Sequence, residues 1–134
     1  MATLEQFAAR MNRRARELPD NVAGLTGRLV LSVSQSVVFA TPVDTGRARN
    51  SWLASINTPA TGEGTPDRSG GQALASAASV ASAIRVEDEG VIVNNVPYIG
   101  FLNDGSSQQA PANFVLKAVQ TATSIIGSTR LIRR

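Results

Sequence analysis

The sequence predicts a single α+β domain over residues 1–134, in which long N-terminal helices and a C-terminal helix pack on a small, mainly antiparallel sheet. The chain has the size of one ordinary domain, and 43% of its residues are hydrophobic, enough for a core. Apolar residues recur at helical spacing near both ends, and short alternating segments between them indicate strands. No internal repeat or domain boundary is visible.

The N-terminal region predicts two helices. Thr3 and Gln6 form a capping box, in which each side chain satisfies a backbone donor of the other residue. Pro19 disfavours helical geometry in the residue before it, so we predict a break or kink there. A second helix is expected to start near Pro19 or Asp20 and to run to about Phe39. The apolar positions of the first helix are Leu4, Phe7, Ala8, Met11, Ala15 and Leu18.

The middle of the chain predicts a turn, a strand and a loop. Residues 41–46, TPVDTG, have turn composition, and the alternation in 51–56 indicates a strand with one apolar face. Residues 57–72 are rich in glycine and proline and show no periodicity. A loop of this length is unusual in a compact domain. We therefore predict that it is flexible in the free subunit and becomes ordered against a neighbour.

The second half predicts a helix, a hairpin and two further helices. The alanine-rich segment 73–84 indicates a helix with small side chains. Segments 84–87 and 91–94 suit the two strands of a hairpin. A short helix is expected to end near Gly105, and Pro111 suits the first turn of a closing helix. Residues 127–134 form a basic tail.

The composition removes the residues on which most enzymes and metal sites depend. The chain has no cysteine and no histidine, which excludes thiolate chemistry, a Ser-His-Asp arrangement and the commonest metal ligands. The acidic run 87–89 is interpreted as a solvated turn. The glycines in 62–71 lack the lysine of a phosphate-binding loop. We predict no catalytic residue, no metal site and no cofactor, so the chain is not expected to be an enzyme.

The positive charge is carried by arginine. The net charge is +3, and Lys117 is the only lysine. Arginine suits phosphates and carboxylates, although a solvated helix face and a solubilising tail are simpler interpretations. The possible DNA contacts are Arg10, Arg13, Arg14, Arg130, Arg133 and Arg134. The apolar run 29–33 is too short to span a bilayer, so no membrane partner is expected.

Two segments carry a resemblance to a known family. They are 41–52, TPVDTGRARNSW, and 94–119, NNVPYIGFLNDGSSQQAPANFVLKAV. Together they resemble the tail-component family (tail completion, minor tail protein Z-like) of long-tailed phages and prophages. That family shows P-V-D-T-G-x-(x)-R before a strand, then N-x-x-P-Y, a glycine-serine turn, A-P-x-x-F and a closing helix. The resemblance covers residues 20–126.

The resemblance implies a structural role in the virion. Such proteins lie at the head–tail neck and form rings, usually sixfold, so a homohexamer is expected. The implied partners are the head connector or adaptor proteins, the tail tube or tail terminator protein, and packaged double-stranded DNA in the ring lumen, which the arginines named above would contact. Assembly would take place in the cytoplasm of the bacterial host.

Candidate interface residues follow from the two segments. In the turn, Asp44 is expected to accept backbone donors, and Gly46 to adopt positive φ. A purely architectural role of this turn is the simpler interpretation. Arg47 and Arg49 are candidates for ion pairs between subunits or for lumen contacts. Tyr98 is either an anchor whose hydroxyl reaches a neighbour or a residue of the core alone. The remaining interface candidates are Thr45, Gly105, Ser106, Ser107, Gln108 and Gln109. The expected core includes Trp52, Phe101, Phe114, Val115 and Val119.

Three alternatives remain open. A tail terminator, which caps the growing tail tube, has a similar size, and its loss would give overlong tails. A small arginine-rich DNA-binding protein would bind duplex DNA tightly, with a steep dependence on salt. A small hydrolase lacks the residues it would need.

Overall fold

The structure is a computed structural model that describes residues 3–105 and 112–126, without the side chains of residues 14–20, 125 and 126. It confirms the α+β class. In chain order the elements are α1 (Leu4–Ala40), a 3-10 helix (Arg49–Ser51), β1 (Trp52–Ile56), α2 (Gly71–Ala83), β2 (Gly90–Asn94), α3 (Ile99–Asn103) and α4 (Phe114–Ile126).

Helix α1 runs without interruption through Pro19, so the prediction of two separate helices is wrong, while the kink at Pro19 stays a prediction. The capping box of Thr3 and Gln6 is present and begins a helix of 37 residues. Proline removes one backbone hydrogen bond from a helix interior. Here, strong helix formers precede Pro19 and a packed segment follows it, and these favour one helix on both sides of the lost bond.

The core forms around the second half of α1. One cluster joins α1 to β1, α2 and α4, and a second joins α1 to α2 and to Ile84. Their buried members are Val37, Val38, Trp52, Ala73 and Ala118 in the first cluster, and Val30, Ala77, Val80 and Ile84 in the second. The small side chains of α2 let it lie close to α1, as the sequence composition predicts.

The sheet has two antiparallel strands, β1 and β2, with Trp52 opposite Asn94 and Ile56 opposite Gly90. The predicted hairpin between 84–87 and 91–94 is wrong. Ile84 is buried at the end of α2, and the Asp88 carboxylate accepts the Arg85 N–H at 3.0 Å, which closes a turn. Strand β2 therefore pairs with β1, which lies much earlier in the sequence.

Helix α3 ends where the sequence predicts, and the predicted closing helix is present as α4, although it begins at Phe114 and not near Pro111. Gly105 adopts φ +89° just after α3. The backbone and side-chain oxygens of Asn103 accept the N–H groups of Asn113 and Val115 at the start of α4. Phe114 is buried, but Phe101 is 69% exposed, so its assignment to the core is wrong. With α3 only five residues long, Ile99 packs against the core and Phe101 faces outward.

One stretch of α1 is long and apolar enough to cross a membrane. It is Asn21–Ala40, with 20 residues and a mean hydropathy of 1.4. The run 29–33 is shorter and contains Ser32, but valine, leucine and phenylalanine residues on either side of it keep the mean hydropathy of the window high. Core helices meet the same criterion, and this stretch packs against α2 and α4. The absence of a membrane partner stays a prediction.

Candidate functional site

The candidate site is a surface cavity where the two motif segments meet. Its volume is about 220 Å³, and it lies between the turn after α1 and the start of α3. The lining residues are Pro42, Val43, Asp44, Thr45, Gly46, Arg47, Ala48, Tyr98 and Leu102. The pairing of β1 with β2 brings these segments together, and the Asn94 side chain adds a 2.9 Å hydrogen bond to the Ala48 carbonyl.

Gly46 occupies a position that excludes a side chain. Its φ of +85° confirms the predicted positive value. A Cβ atom there would lie 2.2 Å from the carbonyl carbon of Asp67. The Gly46 carbonyl accepts the N–H groups of Asn50 and Asp67. This glycine therefore lets the loop lie directly on the turn.

The neighbouring turn residues act differently from the prediction. Among the described residues, no backbone donor reaches the Asp44 carboxylate, and it is the Asp44 carbonyl that accepts the Arg68 Nε at 2.9 Å. The Thr45 hydroxyl instead accepts the Arg47 N–H at 3.3 Å. Because both side chains are exposed, they remain available to a partner.

Arg47 is held between an acidic side chain and an aromatic ring. Its guanidinium donates to both carboxylate oxygens of Glu63, at 2.6 and 2.9 Å, and lies 5.3 Å from the centre of the Tyr98 ring. The hydrogen bond with Arg47 lowers the pKa of Glu63, and the same bond raises the pKa of Arg47. The pair is part-exposed, so Arg47 offers an oriented charge at the rim of the cavity.

Arg49 has a role within the subunit. Its guanidinium donates to the carbonyl oxygens of Phe39, Thr41 and Arg68, at 3.4, 3.1 and 3.1 Å. These bonds tie the end of α1 to the loop. The predicted contact of Arg49 with a neighbour is untested, and it would compete with three bonds inside the chain.

Asn50 and Ser51 are important residues that the sequence did not single out. The Asn50 amide donates to the Thr65 carbonyl at 2.6 Å and accepts the Ala73 N–H at 3.1 Å. The Ser51 hydroxyl donates to the Arg47 carbonyl at 2.6 Å and accepts the Gly64 N–H at 3.1 Å. The sequence pattern that could have identified them is two small polar residues directly before the core residue Trp52.

The loop between β1 and α2 has partners inside its own chain. Besides Asn50, Ser51 and Arg47, the Asn95 side chain donates to the carbonyls of Ala60 and Gly62. Ordering therefore does not require a neighbour. The flexibility of 57–72 stays a prediction, and these bonds argue for slow proteolysis of the free subunit.

Several predicted residues lie away from this cavity or outside the described part of the chain. Arg10 and Arg13 are exposed near the start of α1, remote from the cavity. Gly105 ends the turn after α3. Ser106, Ser107, Gln108, Gln109, Arg130, Arg133, Arg134 and the side chain of Arg14 lie outside the described residues.

The cavity is suited to recognition through an oriented cation, an aromatic ring and polar backbone groups. Within 3–105 and 112–126, no group of three or more acidic side chains is arranged to hold a metal ion. In comparisons with known proteins, no family model, no curated protein and no solved structure matches this chain. The resemblance to the tail-component family therefore depends on the two segments themselves.

Proposed function

We propose that this chain is a structural virion protein of a tailed bacteriophage, which forms a ring at the head–tail neck and joins or completes the tail. The proposed ring is a homohexamer between the head connector or adaptor proteins and the tail tube or its terminator. In this proposal the cavity around Arg47 and Tyr98 binds a neighbouring protein.

One observation carries the proposal. The two segments that resemble the family lie far apart in the sequence but share one surface, through the β1–β2 pairing, the Asn94–Ala48 hydrogen bond and the contact of Arg47 with Tyr98. Joint packing supports their interpretation as one motif.

Electron microscopy of a lysate tests the role. The gene is deleted from the phage or prophage that carries it, and a matched lysate is complemented with the wild-type chain. We expect DNA-filled heads beside separate tails of normal length, and joined particles after complementation. Overlong tails would indicate a terminator instead. Intact, joined particles without the chain would overturn the proposal.

Charge reversal tests whether Arg47 binds a neighbour. Arg47→Glu breaks the ion pair with Glu63. The double variant Arg47→Glu/Glu63→Arg restores an ion pair within the subunit, but the positive and negative charges have exchanged places. If the charge of Arg47 is recognised by a partner, both variants fail to complement the deletion. If Arg47 only holds the loop, the double variant restores joined particles and the interface assignment is wrong.

A further inference from the structure

Three residues of β2 direct their backbone groups away from β1. In an antiparallel pair, the backbone groups of successive residues point alternately toward the partner strand and away from it. The Asn57 N–H donates to the Glu89 carbonyl at 2.8 Å, and this contact continues the β1–β2 register by one position. By this alternation, the N–H and C=O groups of Gly90, Ile92 and Asn94 point out of the sheet.

The outer edge of β1 is covered, whereas that of β2 is open. Ala54 lies opposite Ile92, and its outward N–H donates to the Ser76 hydroxyl of α2 at 3.0 Å. Within 3–105 and 112–126, no hydrogen bond reaches the outward N–H and C=O groups of Ile92. Edge strands that stay free usually carry a charge or a proline, but the β2 sequence GVIVN has neither. Because backbone groups of half-buried strands are normally paired, this edge is suited to a further strand.

Helix α4 ends near the start of this edge. Its first residues are bonded to Asn103 of α3, and α3 lies beside the turn after α1, because Leu102 lines the cavity together with Pro42. Since α1 ends just before this turn, α4 can pack on it only by running back along it. About 18 Å of helix brings the end of α4 to the level of Val30. Gly90 lies at that level, since a Cβ atom there would be 2.7 Å from the Val30 Cγ2.

Strand β2 runs in the opposite direction to α4. It starts beside Val30 and ends at Asn94, which is paired with Trp52. The Trp52 Nε1 donates to the Thr41 hydroxyl at 2.7 Å, so this end of β2 lies at the end of α1. A segment that leaves α4 and turns back would therefore lie parallel to β2. Parallel neighbours joined through a helix form the ordinary βαβ arrangement.

The sequence after α4 suits such a strand. Residues 127–134, GSTRLIRR, follow α4 and lie outside the described part of the chain. When extended they cover up to about 26 Å, whereas β2 is about 16 Å long. Gly127 is the residue type favoured directly after a helix, and Thr129 and Ile132 are β-branched. The segment has three arginines and no acidic residue, and it would approach the edge past 85–89, which has three carboxylates and one arginine.

We propose that residues 128–133 add to the open edge of β2 in the same chain as a third strand, parallel to β2. The backbone of this segment then pairs with the outward groups of Ile92, and the edge is closed to strands from other molecules. The inference goes beyond the proposed function and does not depend on it, because it concerns the free subunit.

Amide hydrogen exchange measured by NMR is the direct test, because two neighbouring residues of β2 serve as probe and control. The purified full chain is compared with a chain that stops after Ile126. We expect the Ile92 N–H to exchange about tenfold faster or more in the shortened chain, since it loses its partner. The Val93 N–H points toward β1 and should stay equally protected in both. Equal exchange of the Ile92 N–H in the two chains would overturn the inference.

A variant of full length separates strand pairing from the mere presence of the segment. Leu131→Pro/Ile132→Pro cannot donate backbone hydrogen bonds to a neighbouring strand, so it should exchange like the shortened chain. Leu131→Val/Ile132→Val keeps these donors and should behave like the wild type. Protection of the Ile92 N–H in the proline variant would count against a third strand.

Cysteine crosslinking tests the geometry, because the chain has no cysteine of its own. Val93→Cys is combined with a cysteine at each of positions 130–133 in turn, and the full chain is oxidised. A disulfide requires Cα atoms about 4.4–6.8 Å apart, and alternate residues of a strand share one face. We therefore expect crosslinked monomers at alternate positions of 130–133 and not at those between them. Arg10→Cys, about 30 Å from Val30 along α1, replaces Val93→Cys in the control and should not crosslink.

The same experiments identify the other occupants of the edge. Equal crosslinking at all four positions would mean that 130–133 is not a strand, and disulfide-linked dimers would mean that the segment of another copy is bound. Either result would overturn the inference. So would loss of duplex DNA binding in the shortened chain without any change in the exchange of the Ile92 N–H, which would assign the arginines to DNA.

Discussion

Two buried side chains, Asn50 and Ser51, connect the motif turn to the long loop. Asn50 is 2% exposed and Ser51 is fully buried, and each makes one donor and one acceptor contact with backbone groups. Removal of either side chain would leave one buried N–H, that of Ala73 or Gly64, and one part-buried carbonyl without a partner. The cost of an unsatisfied buried group is larger than the net gain from an ordinary hydrogen bond.

Asn50→Ala is expected to lower the free energy of unfolding by about 2–3 kcal/mol, because the Thr65 carbonyl and the Ala73 N–H lose their partner. Urea unfolding measures the change, and limited proteolysis should show faster cleavage within 57–70. Asn95→Ala is the control, since its two contacts with the same loop are exposed. Equal losses in the two variants would contradict the role of Asn50.

Ser34 is a buried polar residue whose removal should stabilise the fold, in contrast to Asn50 and Ser51. It is 1% exposed, and its hydroxyl has no hydrogen-bond partner among the described residues. Ser34→Ala removes this buried polar group and should raise the free energy of unfolding by about 1 kcal/mol. Ser51→Ala is the matched control and should be destabilising. Thermal unfolding of both variants is the measurement, and destabilisation by Ser34→Ala would indicate a partner for that hydroxyl.

At the scale of elements, the contact of α1 with α2 depends on Gly27. A Cβ atom on Gly27 would lie 2.8 Å from the Ala81 carbonyl oxygen, whereas one on Gly24 would meet nothing within 4 Å. Alanine is favoured over glycine in a helix by about 0.5–1 kcal/mol. We therefore expect Gly24→Ala to stabilise the chain and Gly27→Ala to destabilise it. Chemical denaturation measures both, and stabilisation by Gly27→Ala would mean that the helices separate at low cost.

The elements that the sequence predicted correctly are those with a local signal. Helix α2, the short α3 and the closing helix follow from composition, capping and turn residues. The prediction of two separate helices around Pro19 was wrong because one lost hydrogen bond was weighed without the packing of the following residues. The hairpin of 84–94 was wrong because a strand pattern does not specify its partner, and β2 pairs with β1 across the whole of α2.

Part of the candidate site was also predictable, because some of its residues carry a local sequence signal. Arg47, Gly46 and Tyr98 belong to short motifs and could be singled out from the sequence. The pairing of Arg47 with Glu63, and the use of Arg49 inside the chain, depend on contacts across the long loop. No local pattern encodes such contacts, so they became visible only in the fold.

At the scale of the whole molecule, three exposed or part-exposed carboxylates link stability to pH. A hydrogen bond from Arg47 lowers the pKa of Glu63, the Ser69 N–H lowers that of Asp67, and the Arg85 N–H lowers that of Asp88. Each group binds protons more weakly in the folded than in the unfolded chain. It therefore stabilises the fold above its unfolded pKa of about 4, and that stability is lost as pH falls through the folded pKa.

The expected result is a free energy of unfolding that falls only in acid, below about pH 4, and by a modest amount because the groups are exposed. Urea unfolding over a pH series measures it. The triple variant Glu63→Gln/Asp67→Asn/Asp88→Asn should show a shallower decline. An unchanged slope would mean that other carboxyl groups are responsible.

The antiparallel pairing of β1 with β2 also sets the order in which this chain can fold. The strands are separated by the long loop and by α2, and the core around α1 includes residues of α4. Non-local contacts require closure of a long chain segment before they contribute, which slows folding. During synthesis, α1 can become helical early, but the part of its apolar face that α4 covers stays exposed until α4 has left the ribosome. The emerging chain therefore exposes apolar helix surface for most of its synthesis.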